Sequence, residues 1–170
     1  MSANKPLLSL IAADIMSTNV VMLSREMSLH FAARLLARAG VTGAPVVDDH
    51  GGCIGVLSAT DFMHSIEKEK KTGSNPDCFK AWQIPEGAQA AACRVEDFMT
   101  HDPVLVTPNV SIGELARMMM DAHIHRIIVV EAVTNRPIGV VSTMDILAAV
   151  ARAEQKQPEE LEAALAGERY

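Results

Sequence analysis

At 170 residues the chain is one ordinary domain or two small units sharing a core, and its 49% hydrophobic content supplies the material for that core. Aromatics are only 4%, so packing falls to Val, Ile, Leu, Met and Ala. A net charge of −6 makes no electropositive track and excludes nucleic acid as the expected partner. No apolar run approaches the ~18 residues of a membrane helix.

The N-terminus, MSANKPLLSLIAAD, is a poor secretory signal, because its apolar stretch is short and Asp14 arrives early. Cys53, Cys78 and Cys93 form an odd set without a CxxC pair. That fits a reducing compartment and argues against structural zinc, so a cytoplasmic protein without membrane association is expected. VVML (Val20–Leu23) is short, aliphatic and followed by polar residues, which predicts a strand. An amphipathic helix follows, with Leu29, Ala32, Ala33 and Leu36 on one face. Ser28 is its natural N-cap and Gly40 its C-terminal stop. APVV (Ala44–Val47) and CIGVL (Cys53–Leu57) then predict two strands joined by the turn Asp48–Gly52. A second helix begins near Ser58–Asp61.

Residues 68–93 read as a linker. Lys68–Lys71 end a charged helix, and Gly73, Asn75, Pro76 and Pro85 punctuate the loop. It is long for a compact domain, and Phe79 and Trp82 are expected to tuck it against the core. The same order of elements then returns. VLV (Val104–Val106) predicts a strand. Ile112, Leu115, Ala116 and Met119 mark a helix whose cap Ser111 completes a capping box with Glu114. IIVV (Ile127–Val130) and PIGVV (Pro137–Val141) are strands around the turn Thr134–Pro137, and a helix begins near Ser142–Asp145. The tail from Pro158, PEELEAALAGERY, looks like a short amphipathic helix, suited to pack on a partner subunit or to remain solvated.

The order is therefore β-α-β-β-α, twice, an α/β chain with helices covering aliphatic strands. Asp14 falls on Asp97, Met16 on Met99, Ser28 on Ser111 and Val46-Val47 on Val129-Val130. After one inserted residue, GVLSATD (Gly55–Asp61) falls on GVVSTMD (Gly139–Asp145). Two copies of so long a unit indicate a pseudo-twofold pair rather than a repeat array. The units are expected at 11–67 and 94–150, with 68–93 between them and 151–170 as a helical tail.

The phrase Ser-x-x-Asp admits two readings. Ser58 with Asp61, and Ser142 with Asp145, have the spacing of capping boxes, and an acid in the first turn suits the helix dipole. The same helix start offers unpaired N–H groups to a phosphate, and a carboxylate there accepts ribose hydroxyls. In HIHRIIVV, Arg126 offers a planar fork matched to phosphate, although an exposed strand edge or a salt bridge accounts for His125 and Arg126 equally well. His123 and His125 alternate along a strand without an evident third metal ligand, so no metal site is expected.

ADIMS (Ala13–Ser17) and EDFMT (Glu96–Thr100), APVVDD and HRIIVVE, and the two GVLSATD/GVVSTMD phrases together resemble the cystathionine-β-synthase (CBS) domain family. The resemblance covers Ile11 to about Val150, as a pair of units often called a Bateman module. It implies a regulatory module whose paired sheets leave two clefts for AMP, ADP, ATP or a related adenosyl ligand such as S-adenosylmethionine, with no cofactor required. Carried over residue by residue, Asp61 and Asp145 match the ribose-binding aspartate, and Ser58, Thr60 and Ser142 match hydroxyls near phosphate. Met144 stands where the first copy has Thr60. The resemblance places Ser17, Val21, Val41, Thr42 and Ala44 in one cleft with Ser142 and Asp145. It places Thr100, Leu105, Ile124 and Ile127 in the other with Ser58, Thr60 and Asp61. His125-Arg126 resembles a pair that reaches nucleotide phosphates in the gamma subunit of AMP-activated kinase. On those grounds the cleft of Asp61, Ser58, Thr60 and Thr100, joined by the His125-Arg126 strand, is expected to bind better.

No nucleophile elbow, zinc-protease helix or Walker phrase is present in the sequence, so an enzyme is not expected. The run Met118–Met120 cannot be buried on one side of a helix, and such an adaptable apolar face suits an interface. Together with the family resemblance it implies a homodimer that binds a small-molecule nucleotide and reports to a separate effector protein, here in a chain expected to stand alone. The alternative is a purely structural dimerisation module with empty clefts; an unrecognised enzyme stands behind both.

Overall fold

The computed structural model describes residues 5–64 and 93–154. The linker with Cys78, Phe79 and Trp82, the Lys68–Lys71 run and the tail after Pro158 lie outside those residues. Local signals set the elements. A 3-10 turn at Leu7–Ser9 precedes α1 (Ala12–Ile15), β1 (Leu23–Ser24), α2 (Leu29–Ala39), β2 (Gly43–Val47) and β3 (Cys53–Ser58). Residues 59–64 are helical and form α3. A 3-10 turn at Val95–Asp97 leads to β4 (Thr100–His101), β5 (Leu105–Val106), α4 (Ile112–Asp121), β6 (Arg126–Val130) and β7 (Pro137–Ser142). Residues 143–154 form α5. Ser28 Oγ accepts the Phe31 N–H at 3.2 Å, and Gly40 closes α2 at φ 65°, a conformation glycine adopts without strain. Ser111 Oγ accepts the Glu114 N–H at 3.2 Å, the forward half of the expected box.

The chain forms two compact units. The first holds the described residues of Asn19–Val104 together with Ala132–Pro137; the second holds those of Met1–Thr18, Leu105–Glu131 and Ile138–Tyr170. In the first, a four-stranded sheet runs in the order β1-β2-β3-β4. β1 lies parallel to β2, with Leu23 opposite Val46. The β2–β3 hairpin is antiparallel, and its register shifts between Val46 and Val47. Leu29, Ala32 and Leu36 of α2 pack with Leu23, Ala44, Val46, Leu57, Val95 and Met99 into one core. Each fully buried leucine there contributes about 1.5–3 kcal/mol.

The second unit carries the sheet β5-β6-β7, with β5 parallel to β6 and Val106 opposite Val129. Ile112, Leu115 and Met119 of α4 are buried, as are Ile127–Val130 and Val141. β3 and β7 alternate between buried and half-buried residues, so each keeps one face to the core, whereas β6 is buried at four successive positions. The α/β class and the duplicated β-α-β-β-α order are both present.

Two strands are shorter than VVML and VLV predict, beginning only at Leu23 and Leu105. Where the second copy pairs Leu105 with Ile128, the first would have to pair Met22 with Pro45. Proline has no N–H for a ladder, which accounts for β1 starting one residue later. Cys53 is a free buried thiol whose pKa burial pushes above the ordinary 9.0. Cys93 is disulfide-bonded, a pairing that a reducing compartment does not lead one to expect. Among the described residues no helix is long and apolar enough to cross a membrane.

Candidate functional site

Each closing strand ends on a serine that caps the following helix. In the first unit Asp61 Oδ2 accepts both the Ser58 backbone N–H and the Ser58 hydroxyl, each at 2.7 Å. In the second, Asp145 Oδ2 accepts the Ser142 N–H at 2.7 Å and its hydroxyl at 2.6 Å, while Ser142 Oγ accepts the Asp145 N–H at 3.3 Å. The reciprocal capping box is complete in the second copy, and the first shows its half in which the aspartate accepts from the serine N–H. In each copy the consequence is a carboxylate held in one orientation at a helix start.

The opening phrases supply the next layer. Asp14 Oδ2 accepts the Ile11 N–H at 3.1 Å and Asp97 Oδ2 accepts the Arg94 N–H at 3.3 Å, so both aspartates of the Asp-x-Met phrase tie down a tight turn. The methionine two residues later lies on a closing-strand glycine: Met99 against Gly55, and Met16 against Gly139. The hydroxyl residue after it bridges to that strand, with Thr100 opposite Val56 and Ser17 opposite Val140. In both units the opening phrase of one sequence copy thus packs on the closing strand of the other. Pattern reading missed these Met–Gly pairs, although a methionine at a fixed place in both openings and a glycine in both closings was the available signal.

Thr100 and Asp61 meet directly, the threonine hydroxyl donating to Asp61 Oδ1 at 2.8 Å. The same unit holds half-buried Val21 and Val41, buried Ala44, and exposed Thr42 and Thr60. The Thr42 carbonyl accepts the Ala59 N–H at 2.9 Å, joining β2 to the start of α3. The second unit holds Ser17, Leu105, Ile124, His125, Arg126 and Ile127 with Ser142 and Asp145. There the His125 carbonyl accepts the Thr143 N–H at 3.0 Å, which brings the exposed His125-Arg126 pair to the start of α5. Ile127 is fully buried and Ile124 half-buried. Met144 is exposed at the place Thr60 holds in the first copy.

A cavity of about 110 Å³ in the second unit is lined by Lys5, Leu10, Asp14, Ile15 and Arg152 among others, none of them among the ligand-binding residues expected from the sequence. Lys5 Nζ sits 2.9 Å from Asp14 there. Among the described residues no group of three His, Cys, Asp or Glu is placed to hold a metal.

The family model of the CBS domain matches residues 12–68 and again residues 95–152. The chloroplastic CBS domain-containing protein CBSX2 of Arabidopsis thaliana is 27% identical over 140 residues, covering 77% of this chain. The chain spans 58% of that relative's own length. The crystal structure of CBSX2 in complex with AMP superposes with a TM-score of 0.68 at 23% identity, over 85% of this chain and 98% of that one. The CBS domain pair of protein MJ0100, in complex with 5′-methylthioadenosine and S-adenosyl-L-methionine, gives a TM-score of 0.64 at 20% identity, over 81% of this chain and 97% of that one. At these identities the structural likeness speaks for the fold.

Proposed function

This chain belongs to the CBS domain family, and on that premise we propose that it is a regulatory module, not an enzyme, that binds an adenine nucleotide or a related adenosyl ligand. The observation that carries the reading is the duplicated carboxylate. Asp61 and Asp145 are each oriented at a helix start by two donors from the preceding serine. An acid so placed is an acceptor for the two adjacent hydroxyls of a ribose. The similar structures hold AMP in one case and 5′-methylthioadenosine with S-adenosyl-L-methionine in the other. What those molecules share is adenosine, with its ribose diol, so the duplicated feature of this chain addresses their common part.

The phosphate or other 5′ substituent calls for different groups. Ser58, Ser142 and exposed Thr60 supply hydroxyls at helix starts, and Arg126 supplies a guanidinium beside the start of α5. Half-buried Val21, Val41, Leu105 and Ile124 supply the aliphatic surface for the base, whereas the side chains of Ala44 and Ile127 are committed to the core beneath it. The module acts as a homodimer, and ligand occupancy is passed to a separate effector protein.

A thermal-shift screen with AMP, ADP, ATP, adenosine and S-adenosylmethionine tests the reading. A ligand at 100 times its dissociation constant adds about 2.7 kcal/mol of stability, a shift well above noise. If none of the five raises the melting temperature, the chain is a structural dimerisation module instead.

A further inference from the structure

We infer that the two aspartates are unequal acceptors: Asp145 stands open and takes an adenosyl ligand first, whereas Thr100 latches Asp61 and sets the affinity of the second binding event. The inference rests on the nucleotide reading above and deepens it.

Both carboxylates commit Oδ2 to the serine of their own capping box. They differ at Oδ1. Asp61 Oδ1 already holds the Thr100 hydroxyl at 2.8 Å. Ser17 occupies the matching register on its closing strand, opposite Val140 as Thr100 is opposite Val56. Yet among the described residues Ser17 donates no side-chain hydrogen bond, and Asp145 Oδ1 has no protein partner. A carboxylate offers about four acceptor sites, and a vicinal diol brings two donors. At Asp145 the diol meets an unused oxygen. At Asp61 one ligand hydroxyl must displace another hydroxyl, an exchange of like for like that gains little.

The latch has one means of opening. Thr100 lies in β4 directly after Met99, whose side chain is lodged against Gly55, so the backbone is fixed. The side chain must leave Asp61 by turning about χ1, which is stiff in a β-branched residue. Threonine against serine at this one position therefore divides the two copies into a latched and an open form. The sequence expectation that the Asp61 cleft binds better is reversed by this inference.

Isothermal calorimetry with adenosine on the full chain tests it, using wild type, Thr100→Val, Thr100→Ser, Asp145→Ala and Asp61→Ala. Wild type should show a tighter and a weaker event, with Asp145→Ala removing the tighter one. Thr100→Val, which is isosteric and a good strand residue, should tighten the weaker event roughly tenfold. Thr100→Ser keeps the donor but loses the β-branch that stiffens χ1, as in the Ser17 copy, and should tighten that event part of the way toward Thr100→Val. The gain in Thr100→Val should vanish with dideoxyadenosine, which lacks the diol. Weaker or unchanged adenosine binding in Thr100→Val, or loss of the tighter event in Asp61→Ala, overturns the latch while leaving nucleotide binding standing. Absence of any heat with adenosine, AMP or S-adenosylmethionine in wild type removes the nucleotide reading, and the latch with it.

Discussion

Met99 packs onto Gly55 so closely that no side chain fits between them. A Cβ built on Gly55 would lie 2.7 Å from Met99 Sδ and 2.9 Å from the Thr100 carbonyl oxygen. At Gly139 the crowding atoms all belong to the Met16 side chain. The difference decides what an alanine does. At Gly55 it meets backbone that the β3–β4 pairing holds in place, and overpacking of this kind costs about 1–3 kcal/mol. At Gly139 it meets an unbranched thioether with three rotatable bonds, which swings aside. Gly55→Ala should therefore lower the urea midpoint clearly more than Gly139→Ala, at unchanged m-value. Equal losses would mean that the methionine, and not the Thr100 carbonyl, limits both sites.

Arg126 should separate ligands by their charge. It begins β6 beside the start of α5, where Asp145 is held. If the guanidinium serves phosphate, Arg126→Ala weakens AMP by a charge-assisted contact, about 1.5–3 kcal/mol, and leaves adenosine nearly untouched. Calorimetry with the two ligands on wild type and variant reads the difference directly. Equal weakening of both would assign Arg126 to the architecture of the strand.

Self-association should depend on α5. Met144 and Leu147 are 68% and 59% exposed, and their spacing puts them on one side of that helix. Met120 at the end of α4 is also exposed, while Met119 is buried in the core, so the methionine run is split between core and surface. We expect a dimer by light scattering at micromolar concentration, and a monomer when Met144 and Leu147 are both changed to Glu. A wild-type monomer at that concentration would remove the homodimer from the proposed function; a double variant that stays dimeric would move the interface to another surface.

The elements themselves were legible because their causes are local. Ser28 and Gly40 bracket α2, Ser111 opens α4, and the apolar spacing from Leu29 to Leu36 requires one buried face whatever it packs against. The hairpins of β2 with β3 and β6 with β7 follow from aliphatic runs on either side of a turn. The capping role of Ser58–Asp61 and Ser142–Asp145 was equally readable, since a box of four residues carries its own geometry.

The docking of the opening phrases was not readable, and duplication is the reason. Met16 and Met99 stand at the same place in their copies, and so do Gly55 and Gly139, so the pattern fits Met16 to either glycine. Only long-range packing selects Gly139 for Met16 and Gly55 for Met99. The same degeneracy hid the difference between the aspartates. In sequence Ser17 and Thr100 are both hydroxyl residues after a methionine; in the folded units Thr100 donates to Asp61, while Asp145 Oδ1 has no partner among the described residues. Composition and spacing determined a duplicated α/β chain with an acid at each of two helix starts. Tertiary structure decided which copy's opening closes on which strand, because two near-identical phrases offer the same short-range contacts and only the rest of the fold distinguishes them.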